Sequence, residues 1–177
     1  MIILVEGPDG FGKSTLCAAL SKALNTELIK FPNVAFESGK QLYRIINKEL
    51  PFEAMSFQAL QLINRFETYE TLDSHKTYIF DRGKLSGIVY GIADGLPEDW
   101  VRKTADYTPD VDVIVIVTGR PLKQDSDIYS DREYQKEIKR LFMEEGKRAD
   151  GTVIWVCNYN NPEQMLEKVL SELRGVV

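Results

Sequence analysis

Gly7-Pro8-Asp9-Gly10-Phe11-Gly12-Lys13-Ser14 fits the pattern GxxxxGK[ST]. In this pattern glycines turn backbone N–H groups inward, and a lysine and a hydroxyl follow at fixed spacing. That chemistry suits a polyphosphate. The helix that follows adds its positive dipole end, Lys13 can bridge β- and γ-phosphates, and Ser14 supplies a hydroxyl for Mg²⁺. Gly10, Gly12, Lys13, Ser14 and Thr15 are therefore the expected contacts to ATP. A second constellation is Tyr78-Ile79-Phe80-Asp81-Arg82, an apolar run that ends in an acid followed by a base. Asp81 is placed to hold the Mg²⁺ shell through water, and Arg82 to clamp an acceptor phosphate.

Both constellations need rigid elements to aim them. Residues 2–6, 27–31, 77–81, 111–118 and 152–157 are short β-branched or apolar segments bounded by turn residues, and they read as buried strands. Between them, residues 13–24, 38–49, 56–73, 84–93, 97–107, 133–145 and 162–173 carry apolar residues at helical spacing. Alternation of this kind predicts a three-layer α/β fold, with a five-stranded, mostly parallel sheet flanked by helices, because parallel strands require crossover connections. Ligands in such folds bind at the carboxyl ends of the strands, which is where both constellations fall. No repeat or linker divides residues 1–177, so one domain is expected.

The bulk properties exclude several classes. A net charge of -5 disfavours a protein that binds by neutralising a nucleic-acid backbone. The longest apolar run, Val113 to Val117, is too short to cross a bilayer, and Met1 to Val5 lack the positive flank of a signal peptide, so a cytoplasmic location is expected. Cys17 and Cys157 have no metal-binding or redox spacing and read as buried, reduced thiols. His75 reads as an exposed turn residue. A GTPase is disfavoured because no NKxD-like segment follows a strand and there is no obvious DxxG switch; size disfavours a motor ATPase. A small kinase needs a basic acceptor pocket and a basic lid that excludes water.

With these residues in view the sequence resembles the thymidylate kinase family of P-loop nucleoside monophosphate kinases. The resemblance runs through Glu6 to Thr15, Phe31-Pro32, Asn64-Arg65-Phe66-Glu67, Asp81-Arg82 with Ser86-Gly87 and Tyr90, and Asp127-Ile128-Tyr129 with Gln135. It implies a P-loop kinase fold, ATP and Mg²⁺ as cofactors, a small nucleotide as partner, and a homodimer. It also implies that Asp9 bonds the acceptor sugar, that Arg82 binds its phosphate and that Arg65 reads the thymine carbonyl. Phe31, Ser86, Tyr90, Tyr129 and Gln135 would line the acceptor pocket. Residues 119–132 resemble the family's lid, with Arg120, Lys123 and Arg132 as its cations.

Three positions depart from the family. Gly10 replaces an arginine that some relatives carry in the phosphate loop, so Arg120 and Arg132 are the expected sources of that catalytic charge. Val34 stands at a second phosphate-binding arginine, and Gln61 at the aromatic that stacks on thymine. Asn158 to Asn160, after the last strand, are expected neighbours of the adenine. The reading that follows is ATP-dependent phosphorylation of dTMP or a related, modified pyrimidine deoxynucleotide. The alternatives are a deoxynucleoside kinase, whose catalytic acid would have to be Asp81, and a non-catalytic nucleotide-binding regulatory module.

Overall fold

The computed structural model describes residues 1–122, 131–159 and 161–175. In chain order the elements are β1 (Ile2–Glu6), α1 (Lys13–Leu24), β2 (Glu27–Lys30), α2 (Glu37–Ile46), α3 (Ala54–Tyr69), β3 (Tyr78–Asp81), α4 (Lys84–Ala93), α5 (Glu98–Asp106), β4 (Val113–Thr118), α6 (Arg132–Arg148), β5 (Thr152–Cys157) and α7 (Pro162–Leu173). The strands form one sheet in the order β2-β3-β1-β4-β5. Its four ladders are all parallel, pairing Leu4 with Phe80 and Ile114, for example. The expected α/β architecture is therefore present. Because every strand runs the same way, the residues after β1, β2, β3, β4 and β5 emerge along one edge.

The two-residue period of the strands divides the core. Leu4, Phe80, Ile114 and Ile116 pack with Phe57 of α3, Leu85, Val89 and Tyr90 of α4, and Ile138, Leu141 and Phe142 of α6. Ile3, Val5, Ile79, Val113 and Val115 point the other way, against Leu16, Cys17 and Leu20 of α1 and Met165, Val169 and Leu173 of α7. The central strands are thus buried on both faces, as their continuous apolar sequences require. Each fully buried Phe, Ile or Leu contributes about 1.5–3 kcal/mol of transfer free energy.

Several helix ends differ from the periodicity reading, each for a local reason. Helix α2 stops at Ile46 instead of continuing to residue 49, because Lys48 takes a left-handed φ of 64° and the Glu49 N–H turns back to the Arg44 carbonyl at 2.8 Å. Helix α3 starts at Ala54, earlier than residue 56, because the Glu53 carboxylate accepts from the Met55 and Ser56 N–H groups at the helix start. It ends at Tyr69, since Thr71 donates to the Thr68 carbonyl from both its N–H and its hydroxyl. Helix α6 runs on to Arg148 because Glu145, in its last turn, is buried and receives a bidentate pair from Arg102 of α5 at 2.8 Å. His75 lies in the exposed turn before β3 as expected, whereas Cys157 is only half-buried.

Candidate active site

The phosphate loop hangs between β1 and α1. Gly7 has φ 141°, and a Cβ there would stand 2.5 Å from the Val117 carbonyl oxygen of β4, so a side chain is excluded on both counts. Gly12 occupies the cap of α1 in a left-handed conformation, and its carbonyl receives the Leu16 N–H at 3.1 Å. Lys13 is buried, and its Nζ donates to the Pro8 carbonyl at 2.6 Å, holding the ammonium inside the loop. Burial, together with the nearby Arg82 charge, pushes the Lys13 pKa down to about 8, against the pull of Asp9, Asp81 and Glu6. Ser14 and Thr15 face outward on the first turn of α1. The Ser14 hydroxyl donates to Asp81 Oδ2 at 2.7 Å, so these two oxygen groups from α1 and β3 meet. A hydroxyl and a carboxylate are the hard oxygen donors that suit Mg²⁺, which typically takes one or two protein oxygens and completes its shell with phosphate and water.

Arg82 is the hub of the site. It follows β3 in the left-handed conformation, φ 74°, which costs a non-glycine residue of order 1–3 kcal/mol and aims the side chain toward the phosphate loop. Its Nη2 pairs with Asp9, its Nη1 donates to the Ser86 hydroxyl at 3.1 Å, and its guanidinium lies 5.3 Å from the Tyr90 ring centre. The Tyr90 hydroxyl donates to the other oxygen of Asp9. Burial alone would raise the Asp9 pKa, but Arg82, Lys13 and Tyr90 outweigh it and bring it to about 2. Behind this pair sits Glu6, fully buried, accepting from the Ser86 N–H at 3.0 Å and the Ser86 hydroxyl at 2.5 Å. Burial raises its pKa, while Ser86, Arg82 and Arg65 oppose the rise.

A cavity of about 460 Å³ opens beside Arg82, and its wall includes Asp9, Phe31, Arg65, Ser86 and Tyr90. Five residues predicted for the acceptor side therefore meet Arg82 in one space. Arg65 comes from α3 and is 4% exposed. It has no hydrogen bond or ion pair among the described residues, and its Nε is one of the unpartnered buried atoms. Burial lowers its pKa. The Nη1/Nη2 edge of the guanidinium packs against α4 where Gly87 has no side chain, since a Cβ there would come within 2.5 Å of Nη1 and 2.7 Å of Nη2.

On the donor side, Arg120 follows β4. Its backbone N–H and carbonyl are both bound by the Asn158 amide, at 3.0 and 2.6 Å, and its guanidinium lies 5.5 Å from the Tyr159 ring centre. Asn158 also donates to the Phe11 carbonyl at 3.1 Å, and the Leu122 N–H donates to the Gly10 carbonyl at 2.8 Å. The segment after β4 is thereby fastened to the phosphate loop. Arg132 opens α6 and is exposed; Gln135, one turn on, does not line the cavity. Lys123, Tyr129 and Asn160 lie outside the described residues, as does most of the 119–132 lid segment.

Sequence reasoning missed several wall residues: Lys30, Tyr43, Asn47 and Gln58 line the same cavity. Gln58 carried a usable signal, since it lies seven residues before Arg65 and therefore on the same face of α3. Lys30 had a weaker one, a cation at the carboxyl end of β2. Glu6 was visible only as part of the loop's flank, and its contact with Ser86 spans 80 residues.

A parallel sheet with a glycine-rich phosphate loop, a serine–aspartate pair beside it and an arginine-lined cavity defines a P-loop phosphotransferase. The thymidylate kinase family model matches residues 5–169. The chain is 29% identical over 167 residues to a thymidylate kinase of Schizosaccharomyces pombe, covering 82% of this chain and 80% of that one. Among solved structures it superposes on a thymidylate kinase from Candida albicans with a TM-score of 0.85 and 23% identity, covering 98% of this chain and 91% of that one. The thymidylate kinase of Ehrlichia chaffeensis gives a TM-score of 0.81 at 19% identity, covering 98% of each chain. This chain belongs to the thymidylate kinase family, and as such it is a nucleoside monophosphate kinase.

Proposed function

We propose that the protein transfers the γ-phosphoryl group of ATP to dTMP, forming dTDP. The observation that carries this reading is the Arg82–Asp9–Tyr90 cluster, which joins the phosphate loop to a cavity walled by the buried Arg65, an arginine with no ion pair among the described residues. Arg82 binds the acceptor phosphate, exchanging part of its contact with Asp9 for the new anion. Asp9 keeps lone pairs for the sugar hydroxyl even with Arg82 and Tyr90 bound. Arg65 donates to the base carbonyl, and Phe31, Ser86 and Tyr90 hold the nucleotide between the two ends. Tyr129 and Gln135 are assigned to the same acceptor side by family resemblance alone. Lys30 lines the wall and is a cation available to the acceptor phosphate, where Val34 offers none; Val34 faces a separate groove.

On the donor side, Gly10, Gly12, Lys13, Ser14 and Thr15 hold the triphosphate of ATP. Mg²⁺ held at Ser14 and Asp81 would neutralise β- and γ-phosphate oxygens. Lys13 and the lid arginines Arg120 and Arg132 stabilise the charge spread over the transferring group, so the chemistry is positioning and electrostatics. A deoxynucleoside kinase would have to use Asp81 as the base for a 5′-hydroxyl; membership of the thymidylate kinase family favours the monophosphate acceptor instead.

The chain is read as one kinase domain over residues 1–177 with a lid at about 119–132, acting in the cytoplasm. No helix among the described residues is long and apolar enough to cross a membrane. Met55, Ile63 and Phe66 leave an exposed apolar stripe on α3, which supports a homodimer. An ADP-release assay with dTMP, thymidine and no acceptor tests the activity. Turnover should require dTMP; equal or greater turnover of thymidine, or ADP release independent of acceptor, would overturn the assignment.

A further inference from the structure

Helix α3 presents Gln58, Gln61 and Arg65 at i, i+3 and i+7, so the three lie on one face, and all line the acceptor cavity. Gln58 and Arg65 differ from Gln61 in being buried, at 7% and 4% exposure. Both residues also line a second, small void of about 10 Å³, together with Leu62 and Thr104. Both carry unpartnered buried nitrogens among the described residues, Gln58 Nε2 and Arg65 Nε. Helix α4 lies beside both: a Cβ on Gly91 would stand at ordinary contact distance, 3.7 Å, from Gln58 Cδ, and one on Gly87 would strike Arg65. The outcome is two buried polar side chains on one wall of the cavity.

We infer that Gln58 is a specificity-determining residue which, beside Arg65, selects bases presenting a carbonyl next to a ring N–H. This rests on the reading of the cavity as the acceptor site. A guanidinium can only donate, whereas a glutamine amide can also accept. Arg65 donates to the base carbonyl, and Gln58 Oε1 accepts from the neighbouring ring N–H. Thymine and uracil offer that pair at O4 and N3–H, and guanine offers the same pair at O6 and N1–H. Cytosine and adenine offer the reverse, an amino group beside a bare ring nitrogen. Their amino group would face Arg65 donor to donor, and their ring nitrogen would face the Gln58 oxygen acceptor to acceptor. In a buried wall such mismatches leave polar groups unpaired, which discriminates far more strongly than lost apolar contact. Selection is thus by edge pattern more than by ring size. Gln61, being more exposed, has water to compete with any contact it makes.

The test is kcat/KM for dTMP, dUMP, dGMP, dCMP and dAMP with the wild type and with Gln58→Met, which keeps length and removes the acceptor. In the wild type dTMP and dUMP should lead, dCMP should be poor, and dGMP should exceed dAMP although the two purines match in size. Gln58→Met should lower the dTMP:dCMP ratio about tenfold or more, while KM for ATP stays unchanged. Should the variant fail to fold, the wild-type dGMP:dAMP order still decides. Turnover of dTMP combined with dAMP at or above dGMP, or with a Gln58→Met variant of unchanged base ratios, would overturn this inference alone. Absence of dTMP turnover would overturn the acceptor reading and this inference with it.

Discussion

The two halves of the site meet at Asp9 and Arg82 but are built on opposite plans. The donor side is backbone. Eight consecutive residues, Gly7 to Ser14, running from the end of β1 into the first turn of α1, form its cradle, and the contacts that fasten it, Asn158 to the Phe11 carbonyl and Leu122 to the Gly10 carbonyl, act on main-chain atoms. The acceptor side is side chain. Its wall draws on α2, α3, α4, the ends of β2 and β3, and the loop, and its charges are set against one another in a buried network running from Glu6 through Ser86 and Arg82 to Asp9 and Tyr90. A backbone cradle recognises phosphate wherever it is grafted, and so serves every nucleotide alike. A side-chain wall can distinguish one base from another, because each position can change independently.

If this division holds, donor-side changes should act on turnover or on ATP, and acceptor-side changes on base choice. The largest effect is expected for Lys13→Ala. Loss of a buried cation aimed at developing charge should lower kcat by about 10²–10³-fold, with KM for dTMP within a few-fold of wild type and thermal stability retained. A rise in the dTMP KM as large as the fall in kcat would show that the halves are not separable.

A smaller effect, about five- to tenfold, is expected for Asn158→Ala, which removes three hydrogen bonds joining the phosphate loop to the segment after β4. It should appear in KM for ATP with little change for dTMP. Equal effects on both substrates would mean that the clamp supports the whole edge of the sheet.

The mildest effect is on pH dependence. The Lys13 pKa is depressed to about 8, so its positive charge is present below that pH and lost above it. Since kcat/KM reports groups of the free enzyme, kcat/KM for ATP should fall as pH rises past about 8. The value for dTMP, measured at saturating ATP, should stay level there. A profile for ATP flat to pH about 10 would place the lysine in a different environment.

The sequence by itself determined the order of the elements and where the phosphate loop and the Asp-Arg pair fall along them. The strand periodicity, the loop pattern and the Asp-Arg pair after β3 depend on residues close in the chain, whose spacing is fixed by local geometry. Parallel strands further required that the loop, Asp81 and Arg82 share one edge. Only the tertiary structure decided what surrounds them. Gln58 and Lys30 gained a place in the acceptor wall through the packing of α3 and the position of β2 at the sheet edge. Asn158 also ties the phosphate loop to Arg120, a contact 147 residues from its partner Phe11 that the sequence does not announce. Glu6 acquired its neighbour Ser86 because β1 pairs with β3, which delivers α4 to the end of the first strand. Contacts of this separation leave no periodic trace in the chain, since many sequences satisfy the same local pattern and only the packed sheet selects which side chains meet.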